Sequence, residues 1–427
     1  MEAIIRMLNH DSYSGISLAL HALTGHRNWP SILPECDMRR AYDVVIIGGG
    51  GHGLATAYYL AVNHGITNVA VIESGWIGGG NTARNTAIVR SDYLLEASFA
   101  IKNFALQLWG KLSQDLNFNL MYSPRGYVDL AHSDGELEHF TLRANAMNLR
   151  GAKAEILDLD ALRAKVPELA LAPDDRFPVS GALFQQDGGI VRHDAVAWGF
   201  ARKAAAAGIH IFQNCPATGF DIQAGKLKGV HTAKGNVACT QALFSVAGAS
   251  TQLAKLAGFE LPLSPINVQA FVTEPVKPVL DMVVNYNVGL SYISQTDKGE
   301  LVLGGATDGY HSTARRGSFS SIENTLARAV QMFPFLSRLR LMRHWSGTAD
   351  IPMDGNAIIG ATPIEGLQIN AGWGYAGFKA TPAVGHMMAQ YLSSAQLPEM
   401  LAPFALERFE TGALIDDAGI GPYPWLH

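Results

Sequence analysis

The sequence predicts an α/β (α+β) fold, a Rossmann-like domain joined to a second domain built on a mainly antiparallel sheet. Three observations predict it. The run Tyr42-Asp43-Val44-Val45-Ile46-Ile47 passes directly into Gly48-Gly49-Gly50-Gly51-His52-Gly53. A second apolar run, Val69 to Ile72, ends in Glu73 about 20 residues beyond Gly53. Three β-like segments, 268–276, 288–294 and 300–305, then follow in succession.

Each element of the first half has a physical reason. The β-branched run reads as a buried parallel strand, the glycines as a tight turn, and Leu54 to His64 as a helix whose N-terminus faces phosphates. Gly48 turns the chain, Gly50 and Gly51 let a pyrophosphate approach the backbone, and Gly53 lets helix and strand pack closely. Glu73 is placed to accept hydrogen bonds from a ribose. The glycines alone would serve any tight βα turn. Strand, turn, helix, strand and acid in that order point to a dinucleotide.

Length and composition agree with an enzyme of about two domains. The 427 residues are 48% hydrophobic and 16% charged, with a formal net charge of −5, which leaves no basic footprint for nucleic acid. Cys36, Cys215 and Cys239 form neither a CxxC pair nor an even set, so no metal site is expected and a reducing cytoplasm is. Residues 1–40 precede the fingerprint and lack both a signal-peptide pattern and a membrane-length run. With Tyr13, Ile16, Leu18, Leu20, Leu23 and Trp29 they read as an arm that docks on another subunit.

Further along, Gly75 to Thr82 is a second glycine cluster, too long for an ordinary turn and suited to close approach of a cofactor. Ala97 to Leu116 and Gly135 to Arg150 read as helices, and Gly126 to Ala131 as a strand. Ala242 to Ser250 is an apolar strand ending in small residues, Gly248 among them. Gly366 to Lys379 is a strand running into a glycine-rich loop, with a helix from Thr381 to Leu392. The expected organisation is an arm (1–40), a discontinuous nucleotide domain (41–120, 185–262 and 345–412), a substrate domain (121–184 and 263–344) and a tail (413–427).

The stretches Ile46 to Ala57, Gly80 to Ser91, Arg192 to Gly199 and Gly377 to Pro382 resemble the D-amino-acid oxidase and sarcosine oxidase superfamily of FAD enzymes. Within it the chain is most similar to the β-subunit family of heterotetrameric sarcosine oxidases, and the likeness runs from the N-terminal arm through Pro403 to Asp417. The resemblance implies oxidation of an N-methylated amino acid, with hydride passing from the methyl carbon to FAD. Substrate then binds as the free amine with its carboxylate fixed by cations. Arg90 and Lys379 match the carboxylate-holding positions, and Tyr292 an aromatic on the substrate side. Gly80, Asn81, Thr82, Arg84, Asn85, Gly248, Gly374, Gly377 and Phe378 fall in cofactor-binding stretches, and His193 matches the point of covalent FMN attachment.

The same resemblance implies partners: α, γ and δ-type subunits, oxygen as electron acceptor, and tetrahydrofolate on a larger subunit to capture the one-carbon unit. Two departures sharpen it. Val302 stands where single-flavin relatives carry a lysine that assists oxygen reduction, so electrons are expected to leave for a second flavin. No cysteine follows Cys239, so FAD is expected to be noncovalent. The stretch Gly347 to Asn356 departs from the β-subunit pattern and leaves other secondary amines, such as N-methylglutamate or proline, open as substrates. A flavin electron-transfer subunit with catalysis elsewhere is a further alternative, against which a retained carboxylate clamp argues.

Overall fold

A computed structural model describes residues 15–25, 27, 32–172, 176–286 and 291–415. Six short strands carry the nucleotide half. Val44–Ile47 lies between Gln241–Phe244 and Val69–Ile72, with Leu367–Ala371 and His210–Phe212 outside them, all parallel. Ile358–Ala361 closes one edge in the antiparallel sense. Val44 to Ile47 and Val69 to Ile72 are buried throughout, as strands covered on both faces must be, which explains their unbroken apolar sequences.

One face of this sheet is covered by the fingerprint helix Gly51–His64, the helix His193–Ala206 and the long C-terminal helix Gly377–Ser394. The fingerprint and C-terminal helices approach so closely that a Cβ on Gly385 would lie 2.4 Å from the Ala55 methyl. The other face packs on a three-stranded antiparallel sheet, Ala217–Gln223, Lys226–Thr232 and Gly235–Ala238.

The second half is an eight-stranded sheet in the order Leu341–Pro352, Leu263–Pro275, Glu300–His311, Tyr292–Gln295, Val283–Asn285, Tyr127–Ala131, Gly181–Gln185, Ala154–Leu157. Every neighbouring pair is antiparallel except Val283–Asn285 with Tyr127–Ala131. Helix Phe319–Met332 covers its core around Phe271, Tyr286 and Phe333.

Helix boundaries follow the sequence expectation to within a residue at Glu96–Asp115 and Asp134–Leu149. Two helices start earlier than expected, at Gly51 and at Gly377, because helix N-termini tolerate glycine where the first N–H groups have no intrahelical partner. The strand expected at 288–294 is Tyr292–Gln295, residues 287–290 lying outside the described set. Of the N-terminal arm, Gly15–Leu23 is a helix with Ile16, Leu18, Leu20 and Leu23 exposed, while Tyr13 and Trp29 lie outside the described residues. No helix among the described residues is long and apolar enough to cross a membrane.

Candidate active site

A cavity of about 580 Å³ opens where the fingerprint turn, the second glycine cluster, the eight-stranded sheet and the C-terminal glycine loop meet. Gly48, with φ +116°, turns the chain so tightly that a Cβ would stand 2.2 Å from the Ser245 carbonyl oxygen. Gly50 and Gly51 line the cavity and place the N-terminus of the fingerprint helix in it. Gly53 does not line it. A Cβ there would meet the Gly48 carbonyl at 2.1 Å, so its work is the close packing of helix on strand.

Glu73 lines the same end, its carboxylate accepting from the Gly49 and Gly75 amides at 2.8 Å each. Across from it the second glycine cluster is tied down by its own side chains. Thr82 Oγ1 accepts from the Gly51 amide (3.0 Å), Arg84 donates to the Gly79 and Gly80 carbonyls, and Asn85 Oδ1 accepts from the Ala87 amide. Asn81 exchanges hydrogen bonds with the Thr348 backbone, and Trp345 Nε1 donates to the Arg84 carbonyl at 2.9 Å. The cluster is thereby fastened to strand Leu341–Pro352, an element the sequence reading did not anticipate.

The far end holds the two cations. Arg90, from the segment after strand Ile88–Val89, lies between the rings of Tyr93 (5.2 Å) and Tyr127 (5.0 Å) and pairs with buried Asp92. Burial opposes its charge, but Asp92 and the flanking phenols outweigh burial and hold the guanidinium firmly protonated. Behind it Arg143 bonds Asp129 (3.2 Å), whose carboxyl burial pushes up to about 6. Lys379, 7% exposed, donates to Tyr93 OH at 3.2 Å. Burial, then the neighbouring Arg90, drive its proton affinity well below the usual lysine range.

Tyr292 faces the cavity from the sheet, its hydroxyl accepting from Thr86 Oγ1 at 2.8 Å and its pKa pushed by burial up to about 12. Gly374, Gly377 and Phe378 line the loop side, Phe378 stacked on Trp109. Val302 is not among the lining residues. The sheet presents Val268, Ala270, Tyr292, Gly305, Gly347 and Ala349, and Lys379 is the one lysine among the described lining residues. Gly248 stands outside, its amide donating to Asp350, in the wall of a smaller cavity of about 240 Å³.

His193 is also outside the cavity wall, at the first position of helix His193–Ala206, beside the two-point Arg192–Asp194 pair. Its Nδ1 is buried without a hydrogen-bond partner among the described residues, and burial lowers its proton affinity and keeps the ring neutral. The same helix abuts the second glycine cluster, where a Cβ on Gly78 would lie 3.0 Å from the Ala197 methyl. Sequence reading missed Tyr93, Tyr127, Asn285, Thr381 and His52, all in the cavity wall. Tyr93, three residues after Arg90, His52, inside the fingerprint, and Thr381, inside the stretch Gly377 to Pro382, carried a positional signal; Tyr127 and Asn285 carried none.

The profile of FAD-dependent oxidoreductases matches residues 43–391. The sarcosine oxidase β subunit of Rhizobium meliloti is 48% identical over 97% of this chain and 100% of its own length; that of Rhodobacter capsulatus is 44% identical over 95% and 98%. The chain belongs to the sarcosine oxidase β-subunit family of FAD-dependent amine oxidoreductases. Among solved structures, L-proline dehydrogenase from P. horikoshii matches with a TM-score of 0.82 at 26% identity, over 88% of this chain and 100% of its own.

The residues present fit the FAD of this family. The glycine turn leaves no side chain between backbone and cavity, and Thr381 Oγ1, fully buried in the wall, has no hydrogen-bond partner among the described residues. Gly48, Gly50, Gly51, Glu73 and Thr82 would hold the nucleotide, and Gly374, Gly377 and Phe378 the opposite edge.

Proposed function

We propose that this chain oxidises the N-methyl group of sarcosine within a multi-subunit complex. One observation carries the proposal: Arg90 and Lys379 converge on one end of the same cavity whose other end is the nucleotide fingerprint. A carboxylate bridging them leaves the adjoining amine and its methyl group directed along the cavity. Arg90 is a permanent charge with a fork of donors, and Lys379 is a buried group whose charge an arriving carboxylate completes. The walls of Tyr93, Tyr127 and Tyr292 exclude water around the free amine. Noncovalent FAD supplies the hydride acceptor, and FMN, attached through His193, a relay to oxygen. The product imine hydrolyses to glycine and formaldehyde, or yields its one-carbon unit to tetrahydrofolate on a larger partner.

The neutral ring of His193, its Nδ1 unpartnered among the described residues, supports the FMN attachment. Partner subunits of the α, γ and δ type belong to the same reading, and the exposed Ile16 and Leu23 of the N-terminal helix give such a partner an apolar surface. The clamp would serve any secondary amino acid. The likeness to an L-proline dehydrogenase makes proline, with N-methylglutamate, the comparison substrate.

Mass spectrometry of the denatured chain tests the reading. The expected result is an increment equal to FMN that disappears in His193→Ala, FAD released on denaturation, and a kcat/KM for sarcosine above that for proline and N-methylglutamate. An unmodified chain that releases FAD alone and prefers proline would overturn it in favour of a single-flavin dehydrogenase.

A further inference from the structure

Helix Glu96–Asp115 contributes no side chain to the cavity wall, yet one of its faces is committed to what the wall does. Ser98 bonds Asn356 of the wall at 3.1 Å, and Trp109 Nε1 donates to the Lys379 carbonyl at 2.9 Å. Between them on that face is Lys102, 1% exposed, its Nζ 4.3 Å from the centroid of the Tyr93 ring. The Arg90 guanidinium lies 5.2 Å from the same centroid and Lys379 Nζ 5.8 Å, so three basic side chains surround one phenol.

We propose that Lys102 is a positioning residue of the carboxylate clamp: seated on the face of Tyr93, it holds the phenol where Lys379 donates to it, and so keeps the Lys379 ammonium in place for an arriving carboxylate. The inference rests on the clamp reading of Arg90 and Lys379 above. Its physical basis is the attraction of a desolvated ammonium to the negative face of an aromatic ring, which fixes a side chain that would otherwise rotate. The Tyr93 hydroxyl then sits where Lys379 reaches it at 3.2 Å.

The arrangement has an electrostatic consequence as well as a geometric one. The charged groups that face Lys379 are Arg90 and Asp92 from the segment after strand Ile88–Val89, and Lys102 from helix Glu96–Asp115. Burial, Arg90 and Lys102 each favour the neutral amine, and Asp92 opposes them. Removing the charge at position 102 therefore lets Lys379 keep its proton to higher pH. Removing the side chain also takes away the seat of Tyr93. The two effects separate on a pH axis: the lost seat weakens carboxylate binding at neutral pH, and the lost charge moves the alkaline limit of binding upward.

The test uses methoxyacetate, in which an ether oxygen replaces the amine of N-methylglycine, so that the ligand does not titrate near or above neutrality. Its dissociation constant is read from the flavin absorbance of the FAD-loaded protein from about pH 6 to about pH 10. Lys102→Met is expected to weaken binding about tenfold at neutral pH and to move the alkaline limit up by about one unit. Lys102→Arg keeps the charge and leaves that limit in place. Tyr93→Phe removes the acceptor for Lys379 and weakens binding by a similar factor without moving the limit. A Lys102→Met protein that matches wild type in affinity and alkaline limit, while Lys379→Met weakens binding at least tenfold, overturns the proposal and leaves the clamp standing. Should Lys102→Met not fold, wild-type affinity in Tyr93→Phe overturns it equally. Wild-type affinity in Lys379→Met removes the clamp reading itself, and this inference with it.

Discussion

His52 Nε2 lies 2.8 Å from the carbonyl oxygen of Gly377, and this one bond joins the fingerprint helix to the first turn of the helix that carries Lys379. The rest of the ring is held as firmly. Asn370 Nδ2 donates to Nδ1 at 3.1 Å, Trp373 Nε1 donates to Asn370 Oδ1 at 2.6 Å, and the Trp373 ring meets the imidazole edge to face at 5.0 Å. The network assigns the proton to Nε2, which donates to Gly377. The fingerprint helix and the helix that carries Lys379 of the proposed substrate clamp are thus connected through one neutral histidine.

His52→Ala leaves the Gly377 carbonyl without its donor and is expected to cost about 1–3 kcal/mol of stability at pH 8, measured by urea unfolding. The pH dependence has a defined sign. Burial lowers the proton affinity of His52 in the folded chain, so the unfolded chain takes up a proton first, near pH 6.5. The stability that neutral His52 contributes is therefore present above that pH and lost as the pH falls below it. The gap between wild type and His52→Ala should narrow from pH 8 to pH 5, and a gap that stays constant would show that His52 ionises equally in both states.

Gly53→Ala and Gly80→Ala separate two uses of glycine. At Gly53 an added methyl would stand 2.1 Å from the Gly48 carbonyl, a backbone atom with no freedom to move aside. The expected result is a less stable protein, by about 1–3 kcal/mol, that purifies with little flavin. At Gly80 nothing among the described residues lies within 4 Å of the added methyl. That variant should unfold at the wild-type urea concentration when stripped of flavin, yet retain less FAD through dialysis if the cofactor approaches the backbone there. Full flavin retention in Gly80→Ala would exclude close approach at this position.

What the sequence made legible follows the range of the signals. The fingerprint strands, turn and helix are local patterns of burial and glycine spacing, and the structure has them within three residues of expectation. Strand Leu341–Pro352 was not read although Trp345, Gly347, Ala349 and Ile351 alternate with His344, Ser346, Thr348 and Asp350, because Ser346, Thr348 and Asp350 are buried too and the strand has no solvated polar face to contrast with an apolar one. Several of these residues bond across the fold, His344 to Gln269 and Asp350 to Gly248, and a polar residue satisfied by a distant partner leaves no local mark. Arg90 and Lys379 were found only through resemblance. Tyr93 follows Arg90 in the same segment, but Tyr127, Tyr292 and Lys102 come from separate elements that meet only in the folded chain.

Arg90 has a structural duty besides its proposed contact with substrate, and the two can be separated. Asp92 is buried and pairs with Arg90, while Arg143 approaches it only to 3.7 Å. Arg90→Met leaves that carboxylate without its closest partner, which is expected to cost about 3–5 kcal/mol of stability in addition to raising KM for sarcosine. Arg90→Met combined with Asp92→Asn removes both charges, so most of the stability should return, to within about 1–2 kcal/mol of wild type, while KM stays high. Urea unfolding of the two single variants and the double variant, each followed by steady-state kinetics, gives both quantities. Recovery of stability without recovery of KM assigns the fold to the pair and the substrate to the arginine. Recovery of both would mean that Lys379 alone fixes the carboxylate, with Arg90 present only to balance Asp92.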